Sequence, residues 1–168
     1  MKRVAVVGPG GAGKTTFARA LGAKTGLDVI HLDTLFWKPG WVETPRDEWR
    51  AIQTDIVARE AWIIEGNYGA TLDIRLSRAD TVIFLDFHRR LCLRRALWRA
   101  IRNHGEPTQA DGCPESLDFE FYRWIWNYPK QSRPVVLAAI SAHAADAQVF
   151  TPRQPSEAAA LLDSFVRR

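Results

Sequence analysis

Two cysteines, Cys92 and Cys113, are all the thiol these 168 residues hold, and neither stands in a C-x-x-C spacing. That excludes a disulfide framework and a cysteine-built metal site, leaving both as packing residues. No apolar run approaches the roughly 20 residues a membrane helix needs. Met1-Lys2-Arg3 passes into a short apolar run and then glycines, without the pattern of a secretory signal, so a cytoplasmic location is expected. No repeat or linker divides the chain, and its length suits one domain over 1–168. An Asn-Lys-x-Asp guanine-reading motif is also missing. Asn127-Tyr128-Pro129-Lys130 does not supply it, which argues against a signalling GTPase.

What is present is informative. Apolar content of 46% and charged content of 25% suit a globular protein, and the net charge of +4 calls for an anionic partner or for nothing in particular. Directly after Val4-Ala5-Val6-Val7 comes Gly8-Pro9-Gly10-Gly11-Ala12-Gly13-Lys14-Thr15, which fits G-x-x-x-x-G-K-[ST]. The glycines let successive N–H groups turn inward on an anion, and the helix that follows adds its positive end. An apolar run before the loop, and a helical pattern after it through Phe17, Ala18 and Leu21, give the strand–loop–helix setting the motif requires. Gly8, Gly10, Gly11, Ala12, Gly13, Lys14, Thr15 and Thr16 are therefore the candidate triphosphate site, with ATP favoured. Lys14 would meet the transferred phosphate, and the Thr15 hydroxyl would ligate Mg²⁺.

Alternation continues along the chain. Strands are expected at 2–7, 28–32, 62–65, 81–85 and 148–150, and helices at 14–25, 45–60, 71–78, 88–103, 119–144 and 156–167. The helix over 119–144 should be kinked or broken at Pro129 and Pro134. Residues 33–41 read as an aromatic-rich connection with a Pro-Gly turn, and 105–114 as a mobile polar loop. Strands alternating with helices imply an α/β fold with a parallel sheet covered on both faces.

Acids at the tips of parallel strands face the crevice where such folds bind ligands. Glu65 and Asp33 are both so placed. Glu65 would help hold Mg²⁺ or orient a nucleophile, and Asp33 would accept the acceptor's proton or position it. Trp37 and Trp41, beside Asp33, could stack on a flat acceptor or anchor the loop. Arg89, Arg90, Arg94, Arg95, Arg99 and Arg102 crowd one segment. Arg95, Arg99 and Arg102 share a helix face, while Leu93, Leu97 and Ile101 form a stripe able to bury itself. Arg95 and Arg99 lead as phosphate contacts, and Arg123 on the next helix is a second clamp candidate. Of the tryptophans, Trp49, Trp62, Trp98, Trp124 and Trp126 read mostly as core.

On G-P-G-G-A-G-K-T-T (8–16), H-L-D-T-L-F-W-K-P-G-W (31–41), W-I-I-E-G-N-Y (62–68), G-C-P-E (112–115) and F-Y-R-W-I-W-N-Y-P (121–129), the chain resembles the adenylate-kinase-like phosphate-loop proteins. More closely it resembles the small bacterial family of FlaR-type topology modulation proteins. The resemblance implies a three-layer α/β/α fold with five parallel strands in order 2-3-1-4-5, an acceptor-side loop after the second strand and a small lid at 105–116. Where nucleotide kinases close the third strand with Asp-Gly and follow it with Pro-Arg, this chain has Glu65-Gly66 and then Asn67-Tyr68. A nucleoside monophosphate acceptor is thus not supported residue by residue.

The expectation is an ATP- and Mg²⁺-dependent phosphotransferase acting on a small acceptor. The competing one is an ATP-binding regulator with little turnover, acting on DNA or a protein through the basic helix face.

Overall fold

The fold was obtained as a computed structural model, which describes residues 1–165. The chain opens with β1 (Arg3–Val7), α1 (Lys14–Thr25), β2 (Val29–His31) and α2 (Leu32–Phe36). A short hairpin of β3 (Trp37–Lys38) and β4 (Val42–Glu43) follows, then α3 (Arg46–Val57) and β5 (Trp62–Glu65). A single 3₁₀ turn, Gly69–Thr71, leads into α4 (Leu72–Leu76). Then come β6 (Thr81–Phe84), α5 (Arg89–Arg102), α6 (Phe119–His143), β7 (Gln148–Phe150) and α7 (Pro155–Ser164). The five-stranded sheet is parallel throughout, in the order β2-β5-β1-β6-β7. Counted among sheet strands alone, without the antiparallel hairpin, this is the expected order 2-3-1-4-5.

The sheet's side chains show why helices cover both faces. Ala5, Ile64, Val82 and Phe84 point to one core, with Trp49 and Ile56 of α3, Leu72 and Leu76 of α4, and Tyr128 and Val136 of α6. Their neighbours Val4, Val6, Ile63 and Ile83 point to the other, with Phe17 and Leu21 of α1, Cys92 and Ala96 of α5, and Ala158 of α7. Alternate residues on each strand thus feed opposite cores, the two-fold pleat of a strand buried on both sides.

Several expectations change. α6 is one 25-residue helix through both Pro129 and Pro134. Buried Ile125 and Tyr128 before the second proline, and Val136 and Ile140 after it, hold it against the sheet and outweigh the lost backbone bonds. On α5 the buried stripe is Cys92, Ala96 and Ala100, one residue off the predicted Leu93, Leu97 and Ile101, because small residues let this helix lie close. Trp98 is 64% exposed and Ile101 61%, so neither belongs to the core. Residues 33–41 contain a helical turn and half a hairpin rather than a plain connection. The predicted closing helix ends at Ser164, and the remainder of that prediction, 166–167, lies outside the described residues. Among the described residues, no helix is long and apolar enough to cross a membrane.

Asp80 ties the start of β1 to β6. Its Oδ2 accepts from the Lys2 and Arg3 amides at 2.7 and 3.0 Å, and its Oδ1 accepts from Thr81 Oγ1 at 2.8 Å. Burial raises its pKa, but these bonds outweigh that and hold it below the ordinary 3.8. A carboxyl depressed in the folded state stabilises above its unfolded pKa, and the contribution fades as pH falls through the folded value. Asp80→Asn is therefore expected to cost about 1 kcal/mol at pH 7. The gap between the two proteins in urea melts should narrow once the pH drops below 3.8.

Candidate functional site: a phosphate-loop cleft

β1 delivers the glycine loop to the carboxyl edge of the sheet, and the loop is held there by contacts that exclude side chains. A Cβ on Gly8 would lie 2.8 Å from Leu85 O, and one on Gly11 only 2.1 Å from Cys92 O. Gly13 caps α1 with φ 89° and gives no side-chain cap. The first-turn N–H groups of α1 have no helical acceptors, so they stand free to meet an anion. Lys14 Nζ donates to Pro9 O at 3.0 Å, folded over the loop it would share with a phosphate. Arg95 reaches the same loop from α5, with NH1 3.4 Å from Ala12 O.

Glu65 ends β5 and is 2% exposed. Its Oε1 accepts from Thr15 Oγ1 at 2.9 Å and meets His31 Nδ1 at 2.8 Å. On its other side, His31 Nε2 faces Arg19 Nε at 3.5 Å, so the tautomer with hydrogen on Nδ1 satisfies both contacts. Burial pushes the Glu65 carboxyl up, but the His31 hydrogen bond, the Lys14 charge and the Thr15 hydroxyl together hold it below its usual range. Because the Thr15 hydroxyl donates its hydrogen to Glu65, its lone pairs remain for a cation in the cleft. The oxygens of Thr15 and Glu65 suit a hard cation such as Mg²⁺ that keeps waters and takes most other ligands from phosphate.

In the same cleft, Asp33 sits in the first turn of α2. Its Oδ1 accepts from Tyr68 Oη at 2.6 Å. Burial, followed by the Asp33 charge, drives the Tyr68 phenol far above its ordinary pKa, so it remains a donor. Phe36 and Trp49 pack on the Tyr68 ring at 4.8 and 5.0 Å, and Trp37 meets Trp41 edge-on at 5.4 Å. Behind this wall the fully buried Arg75 donates from NH2 to Asn67 O at 3.0 Å and from NH1 to Gln53 Oε1 at 2.5 Å. Burial pulls its pKa down to about 10. Arg75 thus fixes the 66–68 turn from within, while Tyr128 Oη holds the Asn67 side chain at 3.1 Å.

The 105–116 segment is packed rather than loose. Glu115 is 4% exposed and gathers Thr108 Oγ1, Gln109 Nε2 and, as an ion pair at 2.9 Å, Arg99 Nε. The Glu115 oxygen lies off the N–H axis, leaving Arg99 Nε without a true hydrogen bond. The same segment also clasps the β3–β4 hairpin. Gly40 N donates to Gly112 O at 2.8 Å, Trp41 Nε1 to Pro114 O at 3.1 Å, and Cys113 Sγ to Lys38 O at 3.3 Å.

These groups surround one cleft of about 1480 Å³. Of the expected residues it gathers Gly10, Gly11, Ala12, Gly13, Lys14, Thr15, Thr16, Asp33, Trp37, Trp41, Glu65, Arg95 and Arg99. Gly8 is buried behind the loop, against Leu85. Arg123 is exposed on α6 and does not line the cleft, and neither does Arg102. The turn of α6 facing inward presents Phe121, Tyr122 and Trp124 instead, which places Arg123 on the outer side. His31, Tyr68 and Glu115 line the cleft without having been singled out in the sequence. His31 carried the same signal as Glu65, a polar residue at a parallel strand's carboxyl tip. Tyr68 lay in the W-I-I-E-G-N-Y run, and only the fold shows its hydroxyl turned onto Asp33.

No protein-family model matches the chain, and no curated protein matches it. Solved structures do. A shikimate kinase from Acinetobacter baumannii, in complex with shikimate, superposes with a TM-score of 0.66 at 18% identity, covering 98% of this chain and 90% of that one. A shikimate kinase from Bacteroides thetaiotaomicron gives 0.58 at 18% identity over 97% and 95%. A sugar kinase from Janibacter sp. gives 0.55 at 18% identity over 98% and 91%. At that identity the likeness speaks for architecture, and the chain has the α/β fold of the phosphate-loop kinases, a five-stranded parallel sheet with helices on both sides.

Proposed function

We propose that the chain is an ATP- and Mg²⁺-dependent kinase of a small hydroxylated molecule, working as one domain in the cytoplasm. The observation that carries this reading is the junction of Thr15, Glu65 and Lys14 at an open helix N-terminus, in one cleft with Asp33. Gly10 to Thr16 bind the triphosphate through their amides, and Lys14 neutralises the transferred phosphoryl group. Thr15, with Glu65 acting through water, would hold Mg²⁺, which when bound offsets charge on the phosphate oxygens. The acceptor hydroxyl attacks the γ-phosphorus, the bond to the bridging oxygen breaks with its electron pair leaving on ADP, and the hydroxyl proton passes to Asp33. Tyr68 keeps one Asp33 oxygen occupied and so aims the other. Arg95 lies beside the loop as the arginine best placed for developing charge, and Arg99 joins it once it parts from Glu115. The topology modulation resemblance is compatible with this reading and names no reaction.

Asp33→Asn tests it. ATP affinity should be unchanged, while acceptor-dependent ADP formation across a panel of nucleosides, sugars and hydroxy compounds falls about 10²–10⁴-fold. Undiminished acceptor-dependent turnover would remove Asp33 from the reaction.

One observation favours the regulator as a second reading: Arg94, Trp98 and Arg102 are exposed on α5 outside the cleft. DNA binding that persists at physiological salt and is lost in Arg94→Glu/Arg102→Glu would support it.

A further inference from the structure

The cleft's charges are sorted, and the sorting bears on what the acceptor is. Among the described residues, four cations line the cleft: Lys14, Arg19, Arg95 and Arg99. Lys14 and Arg95 are bonded to the phosphate loop, and Arg99 is paired with buried Glu115. Arg19 sits one helical turn beyond Thr15, with its Nε on His31. None of them stands on the wall formed by α2, the hairpin and the 66–68 turn. That wall offers carboxylates and rings. Asp33 has the neutral Tyr68 phenol as its partner, and Glu43 is exposed at the end of β4, with neither in an ion pair among the described residues. Trp37, Trp41 and Tyr68 supply the aromatic surface.

Trp41 and Tyr68 are also the non-glycine residues with positive φ, 62° and 27°, among the described residues. Strain of this kind persists only where the surroundings over-determine it, and here both instances fall on the same wall. A carboxylate or phosphate brought against Asp33 and Glu43 would meet like charge, while the cations near this wall are already engaged, buried Arg75 by Gln53 and the 66–68 turn and Lys38 by Glu48. An ammonium would meet opposite charge and ring faces, which attract cations. A neutral polyol loses nothing and gains less.

Resting on the phosphotransfer reading above, we infer that the acceptor is a hydroxylated small molecule without negative charge, and that an amine-bearing acceptor is preferred over a neutral one. The donor end of the cleft binds the anion; the acceptor wall rejects a second.

The test uses sets matched in shape and differing in charge: glucosamine, glucose and glucuronate; 2-aminoethanol, ethylene glycol and glycolate; adenosine and AMP, with shikimate as a further anion. Each is titrated by calorimetry into the protein holding a non-hydrolysable ATP analogue and Mg²⁺, and separately assayed for ADP formation with ATP. In the glucosamine or the 2-aminoethanol set the amine should bind more tightly than the neutral member and at least tenfold more tightly than the anion. Glu43→Lys should shrink the amine-to-anion ratio at least threefold with ATP-analogue affinity unchanged. A neutral member binding as tightly as its amine in both sets would overturn the amine preference. Arg19→Gln should leave the ratio alone.

An anion binding as tightly as its matched partners, a collapse of anion binding in Arg19→Gln, or no member of any set binding to protein that holds the ATP analogue would each overturn the inference. Amine or neutral binding without ADP formation would uphold the acceptor class and remove the phosphotransfer reading, so the two fail separately.

Discussion

Lys14→Ala is expected to abolish acceptor-dependent phosphoryl transfer, by at least about 10³-fold, while the protein melts within a few degrees of the parent. The two halves of that expectation have different sources. Among the described residues Lys14 Nζ bonds only to Pro9 O, and its side chain belongs to neither apolar core, so folding loses one half-buried contact. Catalysis loses the ammonium at the point where charge gathers on the transferred group. The Lys14 charge also helps keep Glu65 ionised, so its removal loosens the Thr15–Glu65 pair that would hold the metal. Lys14→Arg should not restore activity, because a planar guanidinium is a fixed fork and not the compact, rotatable point charge of an ammonium. Steady-state ADP release and a thermal melt on the same preparation check both halves. A mutant with full turnover would mean that the loop is not the donor site.

Gly11→Ala should have the largest effect on stability, at least about 3 kcal/mol. The added Cβ would lie 2.1 Å from Cys92 O, 2.9 Å from its carbonyl carbon and 3.2 Å from its Cα, all backbone of α5 that cannot swing aside. The position also has φ 75°, where an L-residue is strained. Gly26→Ala separates these causes. Gly26 has nearly the same φ, 76°, but nothing within 4 Å of its would-be Cβ, so it should cost only about 1 kcal/mol. Urea midpoints of the two variants measure the difference. Similar losses in both would mean that the loop does not press against α5 as described.

The parts of this fold that could be read from sequence are those where one physical cause dominates. Val4 to Val7, Ile63-Ile64 and Thr81 to Phe84 are apolar on both faces, so they read directly as buried parallel strands. The phosphate loop was legible because its backbone conformation admits few other residues. The strand order came from resemblance, since nothing in a single strand states its neighbour.

What escaped depended on contacts between distant segments. The β3–β4 hairpin is two residue pairs long, too short for any alternation, and its support comes from Gly112 and Pro114 seventy residues on. The 105–114 segment is polar and glycine-rich, yet its Ala110 and Cys113 are buried, as is Glu115 just beyond it. Pro129 and Pro134 carry a local cost that packing overrides. Arg123 matched the spacing of its neighbours on α6, but spacing does not say which face turns inward, and Phe121 and Trp124 take that side. Arg75 was invisible as a structural pillar because a lone arginine in a short helix gives no hint that it is fully buried beneath the 66–68 turn.

The most direct measurement is transfer of label from [γ-³²P]ATP with Mg²⁺ to a broad panel of nucleosides, sugars, amino alcohols and hydroxy acids, with product separated from phosphate. The expected result is labelled product from at least one acceptor, absent in Lys14→Ala and strongly reduced in Asp33→Asn. Label appearing only as inorganic phosphate, at the same slow rate with every compound and with none, would contradict the kinase reading and leave a nucleotide-binding protein that transfers nothing.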